Sequence, residues 1–101
     1  MFVGVYRIEL FLPGSQSLKA KRSVLNHLKT RLSQLNLSVA EVDGQDLWQH
    51  AVLLAAAVSG DGGYLDNLAG KIEAVVLREP RATLLRVGRD VRPAEGASPW
   101  V

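Results

Sequence analysis

Residues 2–12 alternate. Gly4, Tyr6, Ile8, Leu10 and Leu12 fall on one side, and Val3, Val5, Arg7, Glu9 and Phe11 on the other. A period of two predicts a strand, and Pro13-Gly14 ends it. From Ser17 the period changes. Leu18, Val24, Leu25, Leu28, Leu32 and Leu35 recur at helical spacings, which at about 100° per residue place them on one stripe. A helix is predicted over 17–35, with the Ser17 hydroxyl as its N-cap. A short strand over 37–42 follows, then an Asp43-Gly44 turn. Residues 48–59 are apolar on both sides, which suits a central strand. Their alanines would also suit a helix; the length of the run and its hairpin with the preceding strand favour a strand. Leu65, Leu68, Ile72, Val75 and Val76 predict a second helix over 61–78, capped by Asp61 or Ser59. A fourth strand is predicted over 81–91, with Thr83, Leu85 and Val87 on one side.

The order β-α-β-β-α-β is that of the ferredoxin-like plait, an α+β fold with a four-stranded antiparallel sheet and both helices on one face. The first and third strands are then central. Glu41 and Asp43 on the second strand, and Arg86 and Arg89 on the fourth, are the charges that protected edges carry. Residues 1–91 form one domain in this reading. The Pro/Gly/Ser-rich residues 92–101 lack periodicity and are expected to be a flexible tail unless Trp100 docks.

Composition narrows the chemistry. The 101 residues are 48% hydrophobic and 22% charged, as in a soluble globular domain. No cysteine is present, which removes disulfides, thiolate catalysis and cysteine-based zinc sites. The longest apolar run, 51–58, is too short to span a membrane. The N-terminal residues do not resemble a signal peptide. These features predict a cytoplasmic protein that does not contact membranes.

The net charge of +2 hides an asymmetry. Residues 1–36 hold six Lys/Arg and one acid, 37–79 hold two and seven, and 80–101 hold four and two. Most of the first group lies on the first helix. Lys19, Arg22 and Lys29 are candidates for phosphate contact, with Lys21 and Arg31 at the margins. Lys21 falls within the apolar arc, where its stem is expected to snorkel outward. Three cations in the first turn oppose the helix dipole, a cost that an anionic partner would offset. A basic helix face is also, most often, simply a solvated one.

Ser15 and Ser17 lead into this helix start and are candidate anion-binding residues. The P-loop pattern is absent. Acylphosphatases place an arginine in the corresponding loop, and this chain has none between Pro13 and Ser17. Glu41, Asp43, Asp46 and His50 do not match a metal-ligand spacing, so no metal, cofactor or catalytic residue is assigned. Trp48 is expected to be a packing anchor, and Asp46 a cap on the hairpin. The open face of the sheet, opposite the helices, is assigned Val3, Val5, Phe11, Trp48, Val52 and Leu54, an apolar patch suited to a homodimer.

The strings over 4–9 (GVYRIE), 13–15 (PGS), 17–24 (SLKAKRSV), 38–42 (SVAEV) and 46–49 (DLWQ) resemble the YlxP-like family, small bacterial domains of unknown function. The resemblance covers about residues 1–91. It implies the ferredoxin-like fold and, through the family's frequent gene context, a role near RNA or the ribosome. Family members often carry Glu where this chain has Ala20, so the capping-box partner is missing here. The leading expectation is a non-catalytic RNA- or ribosome-associated accessory factor. The alternatives are a homodimeric protein-interaction module and, third, a small-anion-binding enzyme. The paired aromatics with which an RRM stacks bases are not expected on the open face of the third strand.

Overall fold

In the computed structural model, which describes residues 1–44 and 47–94, the six expected elements form in the expected order. They are β1 (Phe2–Phe11), α1 (Leu18–Ser33), β2 (Ser38–Asp43), β3 (His50–Ser59), α2 (Gly62–Leu77) and β4 (Thr83–Pro93). The sheet order is β2-β3-β1-β4, and every neighbouring pair is antiparallel. This is the ferredoxin-like plait. Among the described residues no helix is long and apolar enough to cross a membrane.

The alternation in β1 sets the layers. Tyr6, Ile8, Leu10 and Leu12 are buried under the helices together with Ala51, Leu53 and Ala55 of β3. Val24, Leu25, Leu28 and Leu32 of α1, and Leu65, Leu68, Ile72 and Val76 of α2, complete this core. The alanines of β3 are the small residues over which the helices approach the sheet. Ser17 caps α1, its Oγ accepting from Ala20 N at 3.0 Å, and Asp61 caps α2 through Gly63 N and Tyr64 N. Asn36 takes a left-handed φ of 60° in the turn between α1 and β2, a conformation asparagine tolerates better than most residues.

Four expectations need correction. First, the register of β4 against β1 shifts between Glu9 and Leu10, so Leu84 and Val87 pack on the core while Leu85 is 52% exposed. The bulge adds a residue on β4 and reverses the alternation there. Second, Arg92 and Pro93 belong to β4, and Ala94 is buried, its N–H donating to Met1 O at 3.0 Å. β4 therefore runs past 91. The Trp100 and Asp46 expectations lie outside the described residues. Third, Trp48 precedes β3 and is 53% exposed, so it is not a buried anchor at a strand start. Fourth, Lys21 does not reach outward.

Candidate functional site

Lys21 is only 2% exposed. Its Nζ donates to Gly44 O at 2.5 Å and lies 2.9 Å from Glu41 Oε2. The stem crosses from the first turn of α1 to β2 and ties the helix to the root of the β2–β3 hairpin. This cation is an internal structural link and is removed from the candidate phosphate contacts.

The other α1 cations behave differently. No acidic residue occurs in α1. Among the described residues, Lys19, Arg22, Lys29 and Arg31 make no ion pair with a carboxylate. Elsewhere, Arg7 is matched with Glu9, Arg81 with Glu79, Arg89 with Asp66 and Arg92 with Asp90, while Lys71, Arg78 and Arg86 make no such pair among the described residues. Arg22, Asn26 and Lys29 line a groove of about 180 Å³ with Leu18, Leu25 and Glu41. Helical phase puts Arg31 on the opposite flank of α1.

The hairpin end carries the second cluster. Asp43 Oδ1 accepts from Gly44 N at 2.8 Å, and Gly44 turns the chain with a φ of 77°, where a side chain would be strained. Leu12 N donates to Gln49 O at 2.8 Å, and Gln49 Nε2 to Pro13 O at 3.2 Å, so the returning strand is clamped to the end of β1. Phe11, Leu47, Trp48, Gln49 and His50 line a cavity of about 650 Å³ at this end.

Ser17 is occupied as the N-cap. Ser15 is buried and lines a different cavity, of about 440 Å³, with Ser23, Pro80 and Arg81. Sequence reading missed the carboxylate beside it. Glu79 is buried in the α2–β4 connection; its Oε1 accepts from Arg81 N at 3.1 Å and Nε at 2.7 Å, and its Oε2 from Nη2 at 3.2 Å. The Glu-Pro-Arg spacing was the available signal. His27 Nε2 is 3.6 Å from Glu79 Oε2. The Arg81 guanidinium holds the Glu79 carboxyl below the usual carboxylate range, against the opposing effect of burial, and Glu79 in turn raises the Arg81 value. A carboxyl depressed on folding stabilises the fold above its unfolded value, and that contribution is lost as pH falls through the folded one. The stability gap between wild type and Glu79→Gln should be widest near neutral pH and close as pH drops below the ordinary value of 4.5. Thermal melts across that range check it; a gap that does not change with pH would refute the assignment.

The open face is where the alternation places it. Val3, Val5 and Phe11 of β1, and Val52 and Leu54 of β3, point away from the helices. The patch is nevertheless smaller than expected. Val52 is 1% exposed, opposed by Glu9 on one side and Asp43 on the other, so neighbours already cover it. The Arg7–Glu9 ion pair crosses the middle of the face. Leu54 and Val58 are exposed. Among the described residues no three His, Asp or Glu side chains converge on a metal-sized site.

Residues 3–89 match the model of a family described as "Protein of unknown function (DUF503)". The chain is 38% identical over 58 residues to "Uncharacterized protein YlxP" of Bacillus subtilis (strain 168), a match that spans 56% of this chain and 63% of that relative. It is also similar to the solution structure of LFR1 1, a de novo designed protein with ferredoxin fold, at 14% identity and a TM-score of 0.43, over 97% of this chain and 91% of that one. With the family model matched over residues 3–89 of the 101, the chain belongs to the DUF503 family, whose function is unknown.

Proposed function

We propose that this protein is a non-catalytic, cytoplasmic accessory factor that binds RNA, free or in the ribosome, through the exposed side of α1. One observation carries the reading: among the described residues Lys19, Arg22, Lys29 and Arg31 lack carboxylate partners and stand together on one acid-free helix, whereas the other cations without such partners, Lys71, Arg78 and Arg86, are spread over α2, its C-terminal end and β4. Unmatched cations along one element are the electrostatic footprint of a phosphate-binding surface. Such contacts supply affinity and salt dependence and do not read sequence. The triple variant Lys19→Glu, Arg22→Glu, Lys29→Glu should keep its circular-dichroism spectrum and lose RNA binding in gel shifts. Neutralising the same three positions to Ala should flatten the log–log salt slope by roughly 2 to 3. A wild type that binds no RNA at low salt rejects the proposal.

The rival reading is a module that pairs with a second copy through the open face. The exposure of Leu54 and Val58 favours it, and the Arg7–Glu9 pair in the centre of that face opposes it. Sedimentation separates the two: Leu54→Glu with Val58→Lys should turn a dimer into a folded monomer if the face is an interface, and change nothing if it is not.

A further inference from the structure

The cavity of about 440 Å³ between the β1–α1 loop, the first turns of α1 and the α2–β4 connection is lined by polar groups that the fold does not use. Ser15 is 4% exposed, yet its Oγ has no hydrogen-bond partner among the described residues. Only its N–H is engaged, donating to Leu12 O at 3.1 Å. The hydroxyl is not sealed off either, and the residue lines this cavity, so its Oγ opens into it. A nearly buried polar group that the chain leaves unbonded points to a partner from outside. Ser23 lines the same cavity, and its Oγ also bonds to nothing among the described residues. The other two hydroxyls of α1 behave differently: Thr30 bonds back to Asn26 O and Ser33 to Thr30 O.

Arg81 supplies the charge. Its Nε donates to Glu79 Oε1 at 2.7 Å and its Nη2 to Glu79 Oε2 at 3.2 Å. These bonds use two of the five N–H groups of a guanidinium, and Nη1 has no partner among the described residues. The N–H groups left on Nη1 and Nη2 form the second edge of the fork. Glu79 is buried and does not line the cavity, whereas Arg81 does. The carboxylate thus holds the guanidinium in place without itself facing the cavity. Ala20 brings the first turn of α1 to the wall, and no acid occupies that turn. The positive end of the helix dipole adds to the field there.

This lining selects the occupant. Two hydroxyls and a fork of N–H donors, with no acid among the described lining residues, suit the oxygens of an anion. Pro13, Val24 and Pro80 make the rest of the wall apolar. Arg81 is the one cation among the described lining residues, and Glu79 already offsets part of its charge. That suits one negative charge better than the two of a phosphate monoester. The free edge of the guanidinium matches a planar carboxylate through two parallel bonds. The volume lies within the usual range of ligand sites, roughly 300–1,000 Å³.

We infer that this cavity binds a small carboxylate, its oxygens taken by Arg81 and the Ser15 and Ser23 hydroxyls, its apolar body lying against Val24 and the two prolines. The site is separate from the proposed RNA surface. Helical phase sets Ala20, Ser23 and Val24 on a different flank of α1 from Arg22, Asn26 and Lys29, and those three line another groove.

The test follows the backbone amides and the Arg81 Nε–H of the isotope-labelled full chain by NMR. Butyrate should shift the signals of Ser15, Ser23 and Arg81 saturably in the millimolar range. Butanol, the same body without the charge, should not. Ser15→Ala should keep the wild-type melting temperature, because the hydroxyl bonds nothing in the fold, and should weaken butyrate about 10-fold or more, as expected for a hydrogen bond to a charged group. Ser23→Ala, at an exposed helix position, should act in the same direction, so a poorly folded Ser15→Ala does not end the test. Arg81→Lys keeps a charge opposite Glu79 but loses the fork, and should bind butyrate more weakly. Trialanine and its C-terminal amide distinguish a peptide end from a free acid: whichever of trialanine and butyrate binds more tightly names the source. The inference is overturned if neither carboxylate gives a saturable shift, if butanol acts equally, if inorganic phosphate binds more tightly than both, or if both serine variants bind as the wild type does.

Discussion

Replacing Lys21 with alanine is expected to cost roughly 3–5 kcal/mol of folding stability, the range for breaking a buried ion pair from one side. The side chain is 3% exposed and its partner Glu41 19%, so the carboxylate left behind would be mostly shielded from water. Gly44 O would lose its ammonium donor as well, and a buried acceptor deprived of its bond costs about 1–3 kcal/mol. The pair itself need not be strongly stabilising, because desolvating both charges offsets most of their attraction. Lys21→Met combined with Glu41→Leu should therefore be much milder than Lys21→Ala alone. Urea unfolding of the three variants gives the comparison. A loss below about 1 kcal/mol for Lys21→Ala, the level of an ordinary surface change, would show that the ammonium is not buried in solution. The same variant should loosen the hairpin root that holds Trp48.

Gly4→Ala should cost about 2–4 kcal/mol, a large loss for one methyl group, combining overpacking with a broken buried hydrogen bond. Gly4 and Tyr6 share the helix-facing side of β1, and the Tyr6 ring leans back over Gly4 to donate from Oη to Leu65 O at 2.5 Å. A Cβ on residue 4 would stand 2.6 Å from that Oη and 3.1 Å from Cζ. The ring must move, and the bond to the first turn of α2 goes with it. Tyr6→Phe alone should cost about 1 kcal/mol. In the double variant the shared bond is lost once and the shortest contact disappears, so the two losses should not add. Strict additivity in thermal or urea melts would refute the clash. Gly4 and Tyr6 thus form one device, which links the central strand to α2.

The local patterns determined a good deal of this protein. Alternation in β1 names both of its faces. The leucine stripe of α1 gives the helix phase, with Leu18 alone left largely outside the core. The alanine run of β3 divides into the correct faces, and Ser17 and Asp61 act as the caps their side chains suggest. These features depend on residues two to four apart, and chain geometry relates them directly. Antiparallel hairpin order then leaves few alternatives to the plait.

What the tertiary structure decided involves partners far apart in the chain. Lys21 has the same chemistry as Lys19, and only the position of Glu41 on β2, twenty residues on, makes one a buried link and leaves the other without a carboxylate partner. Leu84 replaces Leu85 in the core because a bulge belongs to two strands at once and leaves no periodic mark in either. Val52 has the pattern of an exposed residue and is covered by Glu9 and Asp43 across the sheet. Trp48 has the size of an anchor but sits two residues before the start of β3 and is half exposed. Charge asymmetry was visible in composition, but which cations remain unmatched is a question of distance. Coulomb attraction depends on separation in space, and the fold sets that separation.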